Sequence, residues 1–384
     1  MPEKIRKPSW QPDEYALPLV TASYFGFIPM VAPKITEADA KAVADFIEHP
    51  YYDAVERASF IRTYMEQGFA DLPHPLPLIY KRRRGGGYTL HYIGATGALA
   101  EATLIRAALS ILNDEGYKNL RLELNCIGDK DSQAIHEREL TNHIKKFGHN
   151  LPEPLKESLK ENVFNLYLSE EERAIEFRNN APSSIGFLTS SARNYFKEVL
   201  EYIEGLEIEF GLAPELIGER NHASHTIFGV KISGDDAESS KEHGDYLALG
   251  YRYSRLGKKL GMKKEVPMAS VTIFGNKVSN TPKVYKELPK PKFYLIQLGR
   301  EAKIKTLQVL ELLRRERIPV GHLLGKDKLS AQLQGAEESK ANYLIILGHK
   351  EALDGTVTIR NVATRAQDTI PMFDLPQYLK NIKL

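Results

Sequence analysis

Four consecutive cations, Lys81, Arg82, Arg83 and Arg84, run directly into three glycines, Gly85, Gly86 and Gly87. Fixed positive charge at a permissive turn suits anionic oxygen, whether a reacting phosphoryl group or the phosphates of a nucleic-acid backbone. A solvated turn fits the same residues. A second candidate is the pair His222 and His225. Two imidazoles three apart suggest metal ligands, but the flanking residues read as a strand, where that spacing points side chains to opposite faces. We therefore expect no shared metal. A third stretch, residues 249–256 (LGYRYSRL), places Arg252, Tyr253 and Arg255 close together beside a glycine.

The chain that must position these groups has 384 residues, enough for two or three domains with their own cores. Apolar residues make up 42% and charged residues 27%, as in a soluble globular protein. The formal net charge of +2 excludes a global basic field, so any nucleic-acid contact must come from local patches. The single cysteine, Cys126, excludes an intramolecular disulfide and a cysteine-based metal site, and fits a reducing cytoplasm. No apolar run approaches membrane-spanning length, and the basic residues 4–8 are followed by no signal-like segment.

The last quarter reads most clearly. Residues 293–298, 320–324 and 343–347 are short apolar strands, separated by helical patterns over 300–317 and 325–339. Strand and helix alternating at this spacing give crossover units and a largely parallel sheet. Residues 356–362 and 367–372 follow as a hairpin after Asp354 and Gly355, and 375–382 as a closing helix. Further back, residues 13–25 read as a helix kinked by Pro18, and 26–33 as an edge strand with two prolines. Helices are expected over 37–48, 55–68, 97–116 and 195–206. Residues 76–84 and 88–93 form a hairpin around the three glycines, and 120–125 and 216–232 are strands. Residues 132–189 are helical, charged and broken by prolines.

The runs 294–299 (YLIQLG), 324–329 (LGKDKL), 341–348 (ANYLIILG) and 355–359 (GTVTI) resemble the anticodon-binding domain of histidyl-type class II aminoacyl-tRNA synthetases. A generic flavodoxin-like domain with no nucleic-acid role is the other reading of that fold. The resemblance extends upstream. Residues 13–33 resemble class II motif 1, the dimer-forming element, and 122–129 (LELNCIGD) resemble the strand after motif 2. The implied fold is α/β (α+β): a class II synthetase-like antiparallel core over 1–131 and 190–278, with a helical insertion at 132–189. A linker at 279–291 then leads to an anticodon-binding-like α/β domain at 292–384. The resemblance implies a cytoplasmic homodimer in translation, with tRNA or a tRNA-like RNA as partner. Lys81, Arg82, Arg83, Arg84, Lys326 and Lys328 become the RNA-contact candidates, and the insertion is implied to meet the tRNA acceptor arm.

The sequence departs from the family pattern where chemistry is done. Val55 to Ser59 (VERAS) replaces the arginine-proline-glutamate signature. In the motif 2 hairpin Arg82 or Arg83 is the remaining candidate for the ATP α-phosphate, while Tyr92 and Thr96 stand where a polar pair reads histidine. Gly218 falls where the histidine loop carries its arginine. Arg252 and Tyr253 match the amino-acid pocket, but Tyr251 and Arg255 replace glycines and should fill its floor. No arginine occurs between Arg255 and Arg300, and Phe274 lies where motif 3 carries one. Tyr92, Thr96, Arg252 and Tyr253 thus read as a vestigial pocket. The expectation is an RNA-binding paralogue without aminoacylation, needing no cofactor. A divergent active histidine–tRNA ligase would need ATP and Mg. A regulatory subunit acting through protein partners is a third reading, which the C-terminal module argues against.

Overall fold

The computed structural model describes residues 10–44, 53–72, 74–217, 223–233, 246–274 and 284–382. The chain opens with β1 (Tyr15–Ala16), α1 (Leu17–Ser23), β2 (Ile28–Pro29), α2 (Glu37–Ala42) and α3 (Ala54–Glu66). The hairpin β3 (Leu76–Lys81) and β4 (Tyr88–Ile93) leads into α4 (Leu99–Asp114) and β5 (Leu120–Gly128). Helices α5 (Lys130–Phe147), α6 (Glu153–Glu161), α7 (Glu172–Asn179) and α8 (Ser190–Gly205) follow, then β6 (Phe210–Leu212), β7 (Ser224–Ile232), β8 (Ala248–Arg252), α9 (Ser254–Lys259) and β9 (Met268–Ile273).

These strands build an eight-stranded sheet in the order β2-β3-β4-β9-β8-β7-β5-β6. Its centre is antiparallel throughout, and both edge pairs, β2 with β3 and β5 with β6, are parallel. Side chains alternate between faces as pleating requires. Ile79, Leu90, Ala248 and Val271 face the long helices α4 and α8. Leu78, Tyr80, Leu249, Tyr251 and Met268 face α3 and α9. Gly87, at φ +74°, allows the β3–β4 turn to close: a β-carbon there would sit 1.9 Å from the Ile273 carbonyl oxygen.

After β10 (Val284–Tyr285), which pairs with β1, the C-terminal unit runs β11 (Phe293–Gln297), α10 (Arg300–Arg315), β12 (Val320–His322), α11 (Leu329–Glu338) and β13 (Tyr343–Leu347). It ends with α12 (His349–Asp354), β14 (Thr356–Asn361), β15 (Gln367–Pro371) and α13 (Leu375–Asn381). The sheet order is β12-β11-β13-β14-β15. Two pairings are parallel and two antiparallel, so the sheet is mixed rather than largely parallel. The closing hairpin cannot run parallel on so short a turn.

Other expectations need correction. Pro18 lies in the first turn of α1, where its missing N–H costs nothing, so it starts the helix instead of kinking it. The edge strand shrinks to Ile28 and Pro29 because proline cannot extend the ladder. Helix α11 begins four residues later than expected, and α12 was not anticipated.

Helix α4 is buried on nearly all sides because it is sandwiched between the sheet and α10 of the C-terminal unit. Polar groups pin that docking. Arg314 donates to both Asp114 oxygens at 2.9 and 2.7 Å, Thr21 donates to Asp114 at 2.6 Å, and Ser110 to Glu311 at 2.9 Å. His322 presses its ring on Gly26 across the same junction, beside the Tyr24 backbone. Burial pushes its pKa down to about 4. The unfolded chain, near 6.5, therefore binds more protons below that pH. This contribution is complete above about pH 6.5 and is lost as pH falls toward 4, to a total of about 3 kcal/mol. Urea midpoints measured at pH 7.5 and 5 should converge in His322→Gln relative to the parent. An unchanged gap would refute the assignment. No described helix is long and apolar enough to cross a membrane.

Candidate functional site

The two faces of the large sheet hold two separate polar clusters. On the α3 face the organiser is Arg57, fully buried in the first turn of that helix. Its Nη2 donates to Thr272 Oγ1 at 2.8 Å. The rings of Tyr251 and Tyr253 lie 5.5 and 5.8 Å from its guanidinium carbon, a cation–π box. Its Nε and Nη1 have no hydrogen-bond partner among the described residues. Beside it, His91 stacks on Phe60 with ring centroids 3.6 Å apart. Its Nδ1 lies 2.6 Å from the Tyr253 hydroxyl and its Nε2 3.2 Å from that of Tyr80. Burial, reinforced by the Arg57 charge, holds its pKa well below the usual value, so the ring is neutral.

Arg82 does not reach outward with its neighbours. Its side chain is 7% exposed, and its Nε donates to Glu56 at 2.8 Å while Nη2 meets Asp53 at 3.3 Å. Phe274 covers it, ring centroid 5.6 Å from the guanidinium carbon. Glu56 also accepts from Thr89 at 2.8 Å. Burial alone would raise the Glu56 pKa, but the charges of Arg82 and Arg57 hold it low. Asp53, which caps α3 by accepting from the Glu56 N–H at 2.8 Å, completes the set. Arg82 is therefore removed from the candidate RNA contacts: its charge is already neutralised. Arg83 is exposed and donates to the Ala32 and Pro33 carbonyls at 3.0 and 3.1 Å. Lys81 and Arg84 are exposed.

On the α4 face Arg252 is committed to Glu101, with Nε and Nη2 donating at 2.9 and 2.8 Å. It also donates to the Ala95 and Gly97 carbonyls, and its Nη2 lies 2.7 Å from the Tyr195 hydroxyl. Tyr195 donates in turn to Glu101 at 2.7 Å and packs edge-on to His225. Burial and then the Arg252 charge lower the His225 pKa. His222 and Gly218 lie outside the described residues.

Of the four residues read as a vestigial pocket, Tyr92, Thr96 and Arg252 lie on the α4 side, where Arg252 donates to the carbonyls on either side of Thr96, and only Tyr253 faces away. Tyr253 belongs to the α3 face, and Arg252, one position earlier, to the other. Tyr92 is buried on the α4 side, edge-on to Phe27 at 6.2 Å, and Thr96 is exposed. Strand alternation separates adjacent residues, which a linear motif does not reveal. Tyr251 is fully buried beside Arg57, and Arg255 donates to Gln133 at 3.1 Å.

Charge deletion should separate the clusters energetically. Glu101→Ala leaves a buried guanidinium unpaired and should cost about 3–5 kcal/mol. Arg57→Met replaces an under-satisfied cation by an apolar side chain and should be neutral or stabilising. Denaturant midpoints decide both; a large loss for Arg57→Met would mean that its charge stabilises the fold.

In the C-terminal unit a pocket of about 950 Å³ opens between the end of α11 and the starts of β13 and the β14–β15 turn. Lys340, Arg360 and Arg365 bring positive charge to its lining and Glu337 a carboxylate, Asn342 and Asn361 bring amides, and Tyr343 a ring. Sequence reasoning missed these residues, since they are scattered over 26 positions with no motif (Lys340 to Arg365). Lys328 is exposed and Lys326 half-buried in the β12–α11 turn, where Gly325 abuts Pro75; neither lines this pocket.

The antiparallel sheet, the hairpin with its cations and the appended mixed-sheet unit define a class II synthetase-type scaffold. Residues 292–382 match the family model for an anticodon binding domain. The histidine–tRNA ligase of Halalkalibacterium halodurans is 25% identical over 341 residues, covering 84% of this chain and 78% of that protein. That of Listeria innocua is 25% identical, covering 99% and 91%. The crystal structure of apo S. aureus histidyl-tRNA synthetase superposes with a TM-score of 0.50 at 18% identity, covering 94% of this chain and 93% of the other. Residues 292–382 thus match an anticodon binding domain, and the chain as a whole is similar to histidine–tRNA ligases along most of its length.

Proposed function

We propose that this protein binds tRNA or a tRNA-like RNA as a cytoplasmic homodimer and has lost histidine activation. The observation that carries the second half is the state of the α3 face. Activation needs cations free to neutralise a polyphosphate in a site open to substrate. Here Arg82 is paired to Glu56 and Asp53 under Phe274, and Arg57 stands between Tyr251 and Tyr253. These residues do not fit ATP with Mg. A divergent active ligase remains the rival, favoured by the relatives named histidine–tRNA ligase that align along most of the chain.

RNA binding is supported by the match of residues 292–382 and by the pocket within them, whose three cations outnumber its one carboxylate. Phosphate contacts give affinity and base contacts give selectivity. The assay is a gel-shift titration of the intact protein against a total tRNA pool and an unrelated RNA of equal length. Preference for the tRNA pool supports the reading; absence of binding to both at low salt defeats it. Dimerisation is proposed through the first hundred residues, where β2 lies at the sheet edge. A monomeric mass by light scattering would remove that part.

A further inference from the structure

A cavity of about 400 Å³ lies where α1, the end of α4, the β10 segment and the end of α10 converge. It shares no residue with the polar clusters of the large sheet or with the C-terminal pocket. Leu17, Val20 and Pro289 give it an apolar wall, and Tyr24 and Tyr285 line it with phenols. Its charge comes from Arg314, Arg315 and Arg317 against one carboxylate, Asp114. The apolar and aromatic lining and Arg314 are buried or half-buried, while Arg315 and Arg317 are exposed.

The carboxylate is already answered. Asp114 accepts from Arg314 at 2.9 and 2.7 Å and from Thr21 at 2.6 Å. Arg314 gives its other nitrogens to Glu311, at 2.8 and 3.0 Å, so none is left for a ligand. Arg315 gives Glu311 only its Nε, at 2.8 Å. Arg317 makes no ion pair among the described residues. Three guanidiniums therefore meet two carboxylates, Asp114 and Glu311, and the positive charge left over sits on Arg317. Arg317 is also held against its backbone preference. Its φ of +56° lies in the left-handed region that favours glycine, and it stops α10 as a glycine would. Its N–H donates to the Arg314 carbonyl and the Ile318 N–H to that of Leu313, both at 2.9 Å. The helix C-terminal dipole is complemented by cations in the last turn, which Arg314 and Arg315 already supply. A further arginine at a glycine position has a different use.

We propose that this cleft binds a phosphate group, held by Arg317 and the terminal nitrogens of Arg315, with the Tyr24 hydroxyl as a further donor. Guanidinium forks match the oxygens of a phosphate. Burial raises the Tyr24 pKa, so its hydroxyl stays protonated beside Arg317 and donates. The Tyr24 backbone also meets His322 of β12. An occupied cleft thus ties α1 to the C-terminal unit and strengthens their docking. The volume is that of a small-molecule site. A phosphomonoester and the backbone of a bound RNA offer the same chemistry, so the proposal does not rest on the RNA-binding reading.

The test uses the full chain, titrated calorimetrically with inorganic phosphate and with glycerol 3-phosphate at constant ionic strength in sodium chloride, and by gel shift with the tRNA pool. Arg317→Gly is the informative variant, because glycine suits the left-handed position. Its ligand-free thermal midpoint should equal or exceed the parent's, while its affinity for the anion falls roughly ten- to a hundredfold, the worth of a charge-assisted hydrogen bond. Comparing the two proteins cancels the stabilisation that phosphate gives folded proteins generally. Loss of affinity for inorganic phosphate and glycerol 3-phosphate makes a small phosphomonoester the source. Loss of affinity for tRNA alone makes it the RNA backbone; either result supports the proposal. A lower ligand-free midpoint in Arg317→Gly would assign the arginine to the fold and overturn it. So would affinities for all three anions that match the parent's, whether or not the parent binds tRNA. Failure of the parent to bind tRNA, with phosphate binding lost in Arg317→Gly, defeats the RNA-binding reading and leaves this site standing.

Discussion

Purified protein supplied with histidine, ATP, Mg²⁺ and labelled pyrophosphate will form no labelled ATP above the protein-free blank. One oxyanion- or phosphate-stabilising group is worth about 10²–10³ in rate. Motif 3 has Phe274 where an arginine is expected, and Arg82 already answers two carboxylates. Losses at two such positions imply a rate lower by about 10⁴ or more than an intact relative. The box around Arg57 adds an obstacle that charge repair elsewhere would not remove. Arg57→Met should therefore remain silent in the same assay although it stays folded. Exchange that requires histidine, and that Arg82→Ala or Arg83→Ala abolishes, would restore the active-ligase reading.

The second large effect is on salt dependence. In the parent protein the affinity for tRNA should fall steeply between 50 and 200 mM salt, the signature of counterion release. Replacing Lys81, Arg83 and Arg84 by alanine should reduce the slope of log affinity against log salt by about two to three, with roughly 0.7–0.9 per phosphate contact. Arg82→Ala should leave that slope unchanged, because its charge is turned inward and paired. Its effect should appear in stability, where Glu56 is left buried without its cation. Arg360→Ala and Arg365→Ala should instead narrow the difference between the tRNA pool and the unrelated RNA. Point variants are the proper tool here. Truncation of the C-terminal unit would uncover α4, which shares an apolar core with Leu307, Leu310 and Leu313 of α10. A slope that drops for Arg82→Ala as much as for Arg84→Ala would overturn the division between inward and outward cations.

Much of this was legible in the linear chain. Short apolar runs such as 343–347 and helical repeats such as 300–317 mark buried elements directly, and glycine or proline marks their ends. Resemblance located the scaffold, and VERAS at residues 55–59 and Phe274, standing where the family pattern has other residues, marked where an altered site is expected. What the sequence determined, then, was which elements form and where the chain departs from the family pattern. Tertiary structure alone decided which side chain meets which. Lys81, Arg82, Arg83 and Arg84 look equivalent in a row, yet a twisted hairpin turns Arg82 toward Glu56, 26 positions away, and leaves Lys81 and Arg84 outside. Arg252 and Tyr253 look like one motif, yet pleating sends them to opposite faces, toward Glu101 and His91. Ion pairs and stacking contacts form between residues distant in sequence, and their energies depend on burial, which no local pattern records.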